Sequence, residues 1–230
     1  MAHASPASHA THASLAADGV LFDLDGVLVD SRVPFARCVN AALAAHGVAP
    51  RADAELHPYI GPPLHATFEV LLAGRAEEPG LVEACVAAYR ARYRETAATE
   101  TALVPGIVAV LERLGRRLPL VVATSKAAAL AEPLLLDLGL RGHFAAVTGP
   151  SLAVRSEDKG QTVGRALRTL PRCERPIRVG DRRFDVLGAA AHGVPCIGVL
   201  WGIGSEDELR DAGAAAIARE PAELDALLAA

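Results

Sequence analysis

In Val20-Leu21-Phe22-Asp23-Leu24-Asp25-Gly26, three apolar residues run straight into two carboxylates, a junction that few architectures accommodate. The apolar start is a short buried-strand signal. A strand sends residues i and i+2 to one side, so Asp23 and Asp25 face one site if the chain stays extended there. Gly26 lets the backbone turn sharply, and Asp30 or Ser31 is placed to cap a following helix. Two carboxylates at a strand end are costly to hold together unless a cation or a proton compensates them. Taken alone, the segment also reads as a solvated loop, so the rest of the chain has to decide.

The pattern after the junction is alternating. Residues 33–46 read as an amphipathic helix with Phe35, Val39 and Leu43 at steps of four, and Gly47 ends it. Residues 50–63 carry four prolines and read as a loop that includes Ile60-Gly61-Pro62-Pro63-Leu64. Helical patterns return over 64–74 and 81–97. Strands are then expected at 119–123, 145–148, 176–179, 195–200 and 214–218. Helices are expected at 107–117, 127–138 and from about 159 to 170, then to His192, and over 221–229. Strands alternating with helices imply a Rossmann-like α/β fold, a parallel sheet with helices on both faces. The opening strand joins that sheet, which leaves 33–103 as an inserted helical cap. The division is therefore a core of 18–32 and 104–230, a cap of 33–103, and a disordered N-terminal extension of 1–17 that holds His3, His9 and His12.

Composition excludes several classes. A net charge of −4 with no basic stripe argues against a nucleic-acid polymer as partner. No apolar run reaches ~18 residues, so no membrane span is expected. The N-terminus lacks the basic start and apolar stretch of a secretory signal. Cys38, Cys85, Cys173 and Cys196 are widely spaced, with no CxxC, which points to reduced thiols in a cytoplasmic protein.

Ligands of such sheets bind beyond the C-terminal strand ends, and the polar motifs collect there. The first strand offers Asp23 and Asp25, the second Thr124 and Ser125, and the fourth Asp181 and Asp185, while Lys159 follows the third. Singly these are a surface lysine, a helix cap and a solvated pair of aspartates. Together they are four carboxylates that need a cation, and oxygen-only ligation favours Mg²⁺. A lysine, a hydroxyl and backbone N–H groups at a strand–helix turn form a phosphate cradle.

In order and type, these motifs resemble those of the haloacid dehalogenase superfamily of phosphotransferases. The matching residues are Asp23-Leu24-Asp25-Gly26-Val27, Thr124, Lys159 and Gly180-Asp181 with Asp185. The segments Ile60–Leu64, Ala123–Lys126 and Trp201–Leu209 narrow the resemblance to its phosphoglycolate phosphatase and 5′-nucleotidase-like branch. The resemblance implies Asp23 as nucleophile and Asp25 as the acid and then the base. Mg²⁺ would sit on Asp23, Asp181 and the Asp25 carbonyl, with Asp185 orienting one of the ion's waters. Thr124 and Lys159 would hold the phosphoryl group. Ser125, Gly61 and Leu64 would meet the substrate, a small phosphorylated metabolite such as phosphoglycolate or a nucleoside 5′-monophosphate. Dehalogenases of the superfamily lack the second aspartate, so Asp25 and Asp181 favour a metal-dependent phosphatase. Val27 stands where many relatives carry Thr and is shared with sugar phosphomutases, the alternative activity. Trp201 is expected to pack rather than to line the site.

Overall fold

The computed structural model describes residues 14–170 and 172–229. Most of the expected N-terminal extension, with its three histidines, lies outside the described residues.

The elements follow in chain order. A two-residue strand β1 (Leu15–Ala16) precedes β2 (Gly19–Phe22) and β3 (Val29–Asp30). Four helices come next: α1 (Arg32–Ala45), α2 (Asp53–Leu56), α3 (Leu64–Leu71) and α4 (Leu81–Glu100). The chain returns through β4 (Ala102–Leu103) to α5 (Ile107–Gly115), β5 (Leu120–Ala123), α6 (Ala128–Asp137) and β6 (Ala146–Thr148). It continues with α7 (Lys159–Leu167), β7 (Pro176–Gly180), α8 (Arg183–Ala190), β8 (Cys196–Val199) and α9 (Glu206–Asp211). It closes with β9 (Ala216–Ala218), α10 (Leu224–Leu227) and β10 (Leu228–Ala229).

Six strands form one parallel sheet in the order β6-β5-β2-β7-β8-β9. Both faces are covered, which is why the strands read as unbroken apolar runs. Val20, Phe22, Val122, Ile177 and Val179 pack with α5, α6 and α10 on one face. Leu21, Val121 and Ala123 pack with Val163 and Ala166 of α7 on the other. The alternation within β2 and β7 follows from the two-residue period of a strand. The order reverses beside β2, so the crevice for a ligand opens between the C-terminal ends of β2 and β7.

The helical insertion leaves and rejoins the sheet through β3 and β4, a short antiparallel pair that aligns Val29 with Leu103. This two-stranded base has too few residues to show in the sequence pattern. Within the insertion α1 packs along α4, and Phe35, Phe68, Tyr89 and Tyr93 form an aromatic chain in which Tyr89 and Tyr93 stack at 5.6 Å. The proline-rich stretch holds α2 and a single 3₁₀ turn, His57–Tyr59, where a plain loop was expected.

The two chain ends depart from expectation. Residues 221–229 form a 3₁₀ turn, one turn of helix and then β10, rather than one helix. β10 pairs in parallel with β1, because extended pairing lets Leu228 bury fully. The ordered chain therefore begins at least three residues before the expected boundary at 18, and Ala17 is itself buried. No helix among the described residues is long and apolar enough to cross a membrane.

Candidate active site

Asp23 directly follows β2, and its N–H donates to the Val179 carbonyl at 2.9 Å, extending the ladder by one bond. The chain does not stay extended to Asp25 as the strand reading supposed. It curls back, so that the Leu24 carbonyl accepts from Leu28 and Val29, and Gly26 donates to Val29 at 2.8 Å. Asp23 and Asp25 nonetheless line the same chamber. Gly26 makes the turn at φ +80°, and a Cβ there would collide with the Asp181 carboxylate. Only glycine lets these two acidic loops meet.

Asp23, Asp181 and Asp185 bring one oxygen each within 4.8 Å of one another, and all three are buried. Lys159 Nζ lies 2.7 Å from Asp23 Oδ2 and 3.1 Å from Asp185 Oδ1. A capping box fixes the start of α7: the Asp158 side chain accepts from Gln161 N–H at 2.8 Å, and the Gln161 side chain accepts from Asp158 N–H at 3.1 Å. Lys159 is the first residue of that helix, so the cap also aims the lysine.

Arg178, on β7, is a second cation that the sequence reading missed. It is fully buried, on the sheet face opposite Ile177 and Val179. Its Nη2 lies 2.7 Å from Asp185 Oδ1 and 3.5 Å from Asp23 Oδ1.

Burial, then the Asp185 charge, pushes the Asp23 carboxyl above its ordinary range. Burial together with Asp185 and Asp23 pushes Asp181 well above it. Asp185 moves the other way: burial opposes its charge, but Lys159 and Arg178 draw it down to about 2. The cluster is thus short of positive charge at Asp23 and Asp181. Asp23 Oδ1 is moreover a buried oxygen with no hydrogen-bond donor. Hard oxygen donors, uncompensated negative charge and an orphaned oxygen together fit a divalent cation.

Thr124, after β5, is buried, and its Oγ1 accepts from Lys126 N–H at 3.1 Å. Ser125 Oγ lies 3.4 Å from Lys159 Nζ. Both line the chamber, as do Gly61 and Leu64 from the insertion. Gly61 adopts φ +107°, a backbone region that side chains avoid. Trp201 is absent from the chamber wall, and its indole N–H donates to the Val27 carbonyl at 3.1 Å. Lys126, which the sequence offers only within the Ala123–Lys126 segment, has a partner on this wall that the sequence does not show. Lys126 Nζ grips both Asp25 oxygens, at 2.5 and 2.8 Å, and sits 4.8 Å from the centre of the Tyr93 ring. The remaining wall combines apolar and aromatic residues, among them Phe35, Ile60, Tyr89, Leu130 and Val154, with the charged Arg90, Arg155 and Glu157.

Comparison with known proteins places the chain in one family. The model of the haloacid dehalogenase-like hydrolases matches residues 20–199. A 5′-nucleotidase of Pseudomonas aeruginosa is 39% identical over 200 residues, covering 86% of this chain and 89% of that protein. The tyrosine-protein kinase PtkA of Mycobacterium tuberculosis is 38% identical over 193 residues, covering 82% of this chain but only 64% of its own length. A phosphoglycolate phosphatase of Agrobacterium fabrum is 33% identical over 186 residues, with 79% and 80% covered. A crystal structure of a predicted phosphatase from Clostridium acetobutylicum superposes with a TM-score of 0.83 at 32% identity, covering 91% of this chain and 96% of that one.

Proposed function

This chain belongs to the haloacid dehalogenase-like hydrolase family and is a phosphoric monoester hydrolase, and from that premise we propose a Mg²⁺-dependent phosphatase of small monoesters that works through an aspartyl-phosphate on Asp23. Phosphoglycolate and nucleoside 5′-monophosphates head the substrate list, since relatives of both names align over most of the chain. The observation that carries the reading is Asp23 itself. It is a buried carboxylate at the strand-order reversal, with Lys159 on one oxygen and no donor on the other.

Asp23 attacks phosphorus, and the bond from phosphorus to the leaving oxygen breaks as Asp25 supplies that oxygen with a proton. Asp25 then takes a proton from water, which attacks the phosphoryl group and frees the Asp23 carboxylate. Lys126 orients Asp25 for both transfers. Lys159, Thr124 and the N–H of Ser125 surround the phosphoryl oxygens and compensate their charge. Asp23, Asp181 and the Asp25 carbonyl would hold the Mg²⁺, with Asp185 supporting the site through Lys159 and Arg178. When bound, the ion neutralises charge on Asp23 and on the phosphoryl oxygens, so that two anions can approach each other. In this reading residues 33–103 are a cap that encloses the leaving group, while 18–32 and 104–230 carry the chemistry.

The test is phosphate release from a panel of phosphorylated metabolites and p-nitrophenyl phosphate, with Mg²⁺ and with EDTA. Asp23→Asn is expected to fold and to lose at least ~10³-fold in turnover, because an amide cannot carry the phosphoryl group. Activity within tenfold of wild type would overturn the covalent route. Phosphoryl transfer to a sugar or protein acceptor, with little released to water, would instead indicate a mutase or a kinase.

A further inference from the structure

The Trp201–Leu209 segment has two functions in the structure that the reaction itself does not use. Its Ile203 N–H donates to Asp181 Oδ2 at 2.8 Å, which steadies the acidic cluster. Its Ser205 then caps α9 by accepting from Glu208 N–H. The start of that helix is thereby fixed, and Glu208 faces the loop after β7. Glu208 Oε1 accepts from Arg183 N–H at 2.9 Å and from Arg182 Nε at 2.9 Å. Arg182 is the residue directly after Asp181, and its own N–H donates to Asp185 Oδ2.

The far end of Arg182 leaves the core. Its Nη1 donates to the Ile60 carbonyl at 3.0 Å and to the Pro58 carbonyl at 3.3 Å. Both carbonyls belong to the insertion, more than a hundred residues earlier in the chain. The next residue, Gly61, lies against the Arg182 side chain and lines the chamber. Arg182 therefore sits in a planar fork, with one edge on a carboxylate and the other on two loop carbonyls, a geometry for which guanidinium is suited and ammonium is not. Its side chain is 12% exposed and that of Glu208 23%, so the bonds of Arg182 to Glu208 and to Ile60 are partly shielded from water, while the Pro58 bond lies at the surface.

We propose that Arg182 and Glu208 form a strut that seats the Pro58–Gly61 loop over the site and thereby sets selectivity for the leaving group. They are positioning residues. Neither side chain lines the chamber, and both act from behind its wall, through the placement of Ile60 and Gly61. Arg182 directly follows Asp181 and its N–H donates to Asp185 Oδ2, so the loop is registered to the acidic cluster rather than to the bulk of the core. The kinetic part of the proposal rests on the phosphatase reading above.

The test uses the full chain with Arg182→Met, Arg182→Lys, Glu208→Gln and the Met/Gln double variant. Arg182→Met should change kcat/KM unequally across phosphoglycolate, nucleoside 5′-monophosphates and p-nitrophenyl phosphate, with a spread of at least tenfold. Inhibition by inorganic phosphate, which fills only the phosphoryl subsite, should move less than threefold. Arg182→Lys should fall between wild type and Met, and the double variant should be no worse than Met alone, because both changes break one strut. Amide hydrogen exchange over 60–64 should quicken about tenfold in Arg182→Met while exchange in β2 and β7 holds. Equal losses on every substrate, a shifted phosphate inhibition constant, or unchanged exchange over 60–64 would overturn the strut. A wild-type protein that releases phosphate from nothing in the panel would defeat the phosphatase reading, and the exchange experiment would then decide the strut by itself.

Discussion

At the scale of single residues, the site depends on which charges are compensated. Asp23, Asp181 and Asp185 form a buried cluster with two cations, Lys159 and Arg178, and burial plus mutual repulsion bears hardest on Asp181. Asp181→Asn removes one of three crowded carboxylates. It is expected to raise the melting temperature in EDTA and to abolish the further rise that Mg²⁺ gives the wild type. Thermal melts with and without 5 mM Mg²⁺ check both effects, and a lower melting temperature in EDTA would mean that the Ile203 hydrogen bond outweighs the repulsion. Lys126→Met should separate substrates by leaving group. Phosphate esters of alkyl alcohols need a proton on the departing oxygen, whereas p-nitrophenolate leaves without one. Loss of the grip on Asp25 is thus expected to cost alkyl esters ~10–100-fold in kcat, a part of what general acid catalysis supplies, and p-nitrophenyl phosphate less than fivefold. Equal losses would place Lys126 on the phosphoryl group instead. Asp23 was legible in the sequence because it follows an apolar run, where a carboxylate stands out, and Asp181 and Asp185 because they come just after the fourth strand. Arg178 was not, because an arginine alternating with Ile177 and Val179 looks like the exposed face of a half-buried strand. Its strand is central and covered on both sides, and that is decided by tertiary packing.

At the scale of elements, the strands and most helices were legible because their apolar periods are strong. The Ile107, Val110, Leu111 and Leu114 face of α5 is an instance, with all four buried. The misreadings share one cause, which is that the pairing partner is remote. β10 needs β1, and β3 needs β4, and two-residue strands leave no periodic trace. Whether the chain stays extended through Asp25 was left open by the sequence, because local pattern does not report the Leu24 carbonyl bonds that curl it. Helix α7 gives an element-scale prediction. The Asp158 and Gln161 capping box is a local signal, and its loss should act both on the fold and on the site. Asp158→Ala is expected to destabilise the protein by ~0.5–2 kcal/mol and to reduce kcat, because fraying of the first turn displaces Lys159. Chemical denaturation and steady-state kinetics measure the two effects. A stability loss with unchanged kcat would show that Asp23 and Asp185 hold Lys159 without help from the cap.

At the scale of the whole molecule, the chamber exists only where the insertion meets the core, so the contacts that join them decide its shape. They differ greatly in worth. Arg155, on the loop before α7, meets Glu83 at 2.5 Å and Glu69 at 3.7 Å across the junction, and by distance alone it would be the principal latch. Its side chain is 59% exposed, and those of Glu83 and Glu69 are 49% and 53% exposed. Water and salt therefore screen both pairs, and exposed pairs contribute ~0–1 kcal/mol. The Arg90 donation to the Leu152 carbonyl at 2.9 Å and the Arg182 bond to the Ile60 carbonyl are better shielded, and the buried aromatic chain behind them does not depend on charge. Arg155→Ala is accordingly expected to cost less than ~1 kcal/mol and to change kcat/KM by less than fivefold on any substrate. Whatever difference remains should vanish in 0.5 M salt, where the Debye length falls to about 4 Å. Kinetics at low and high salt check this. A loss above tenfold that persists at high salt would mean that Arg155 reaches the substrate's own charge inside the chamber, where the screening argument no longer applies.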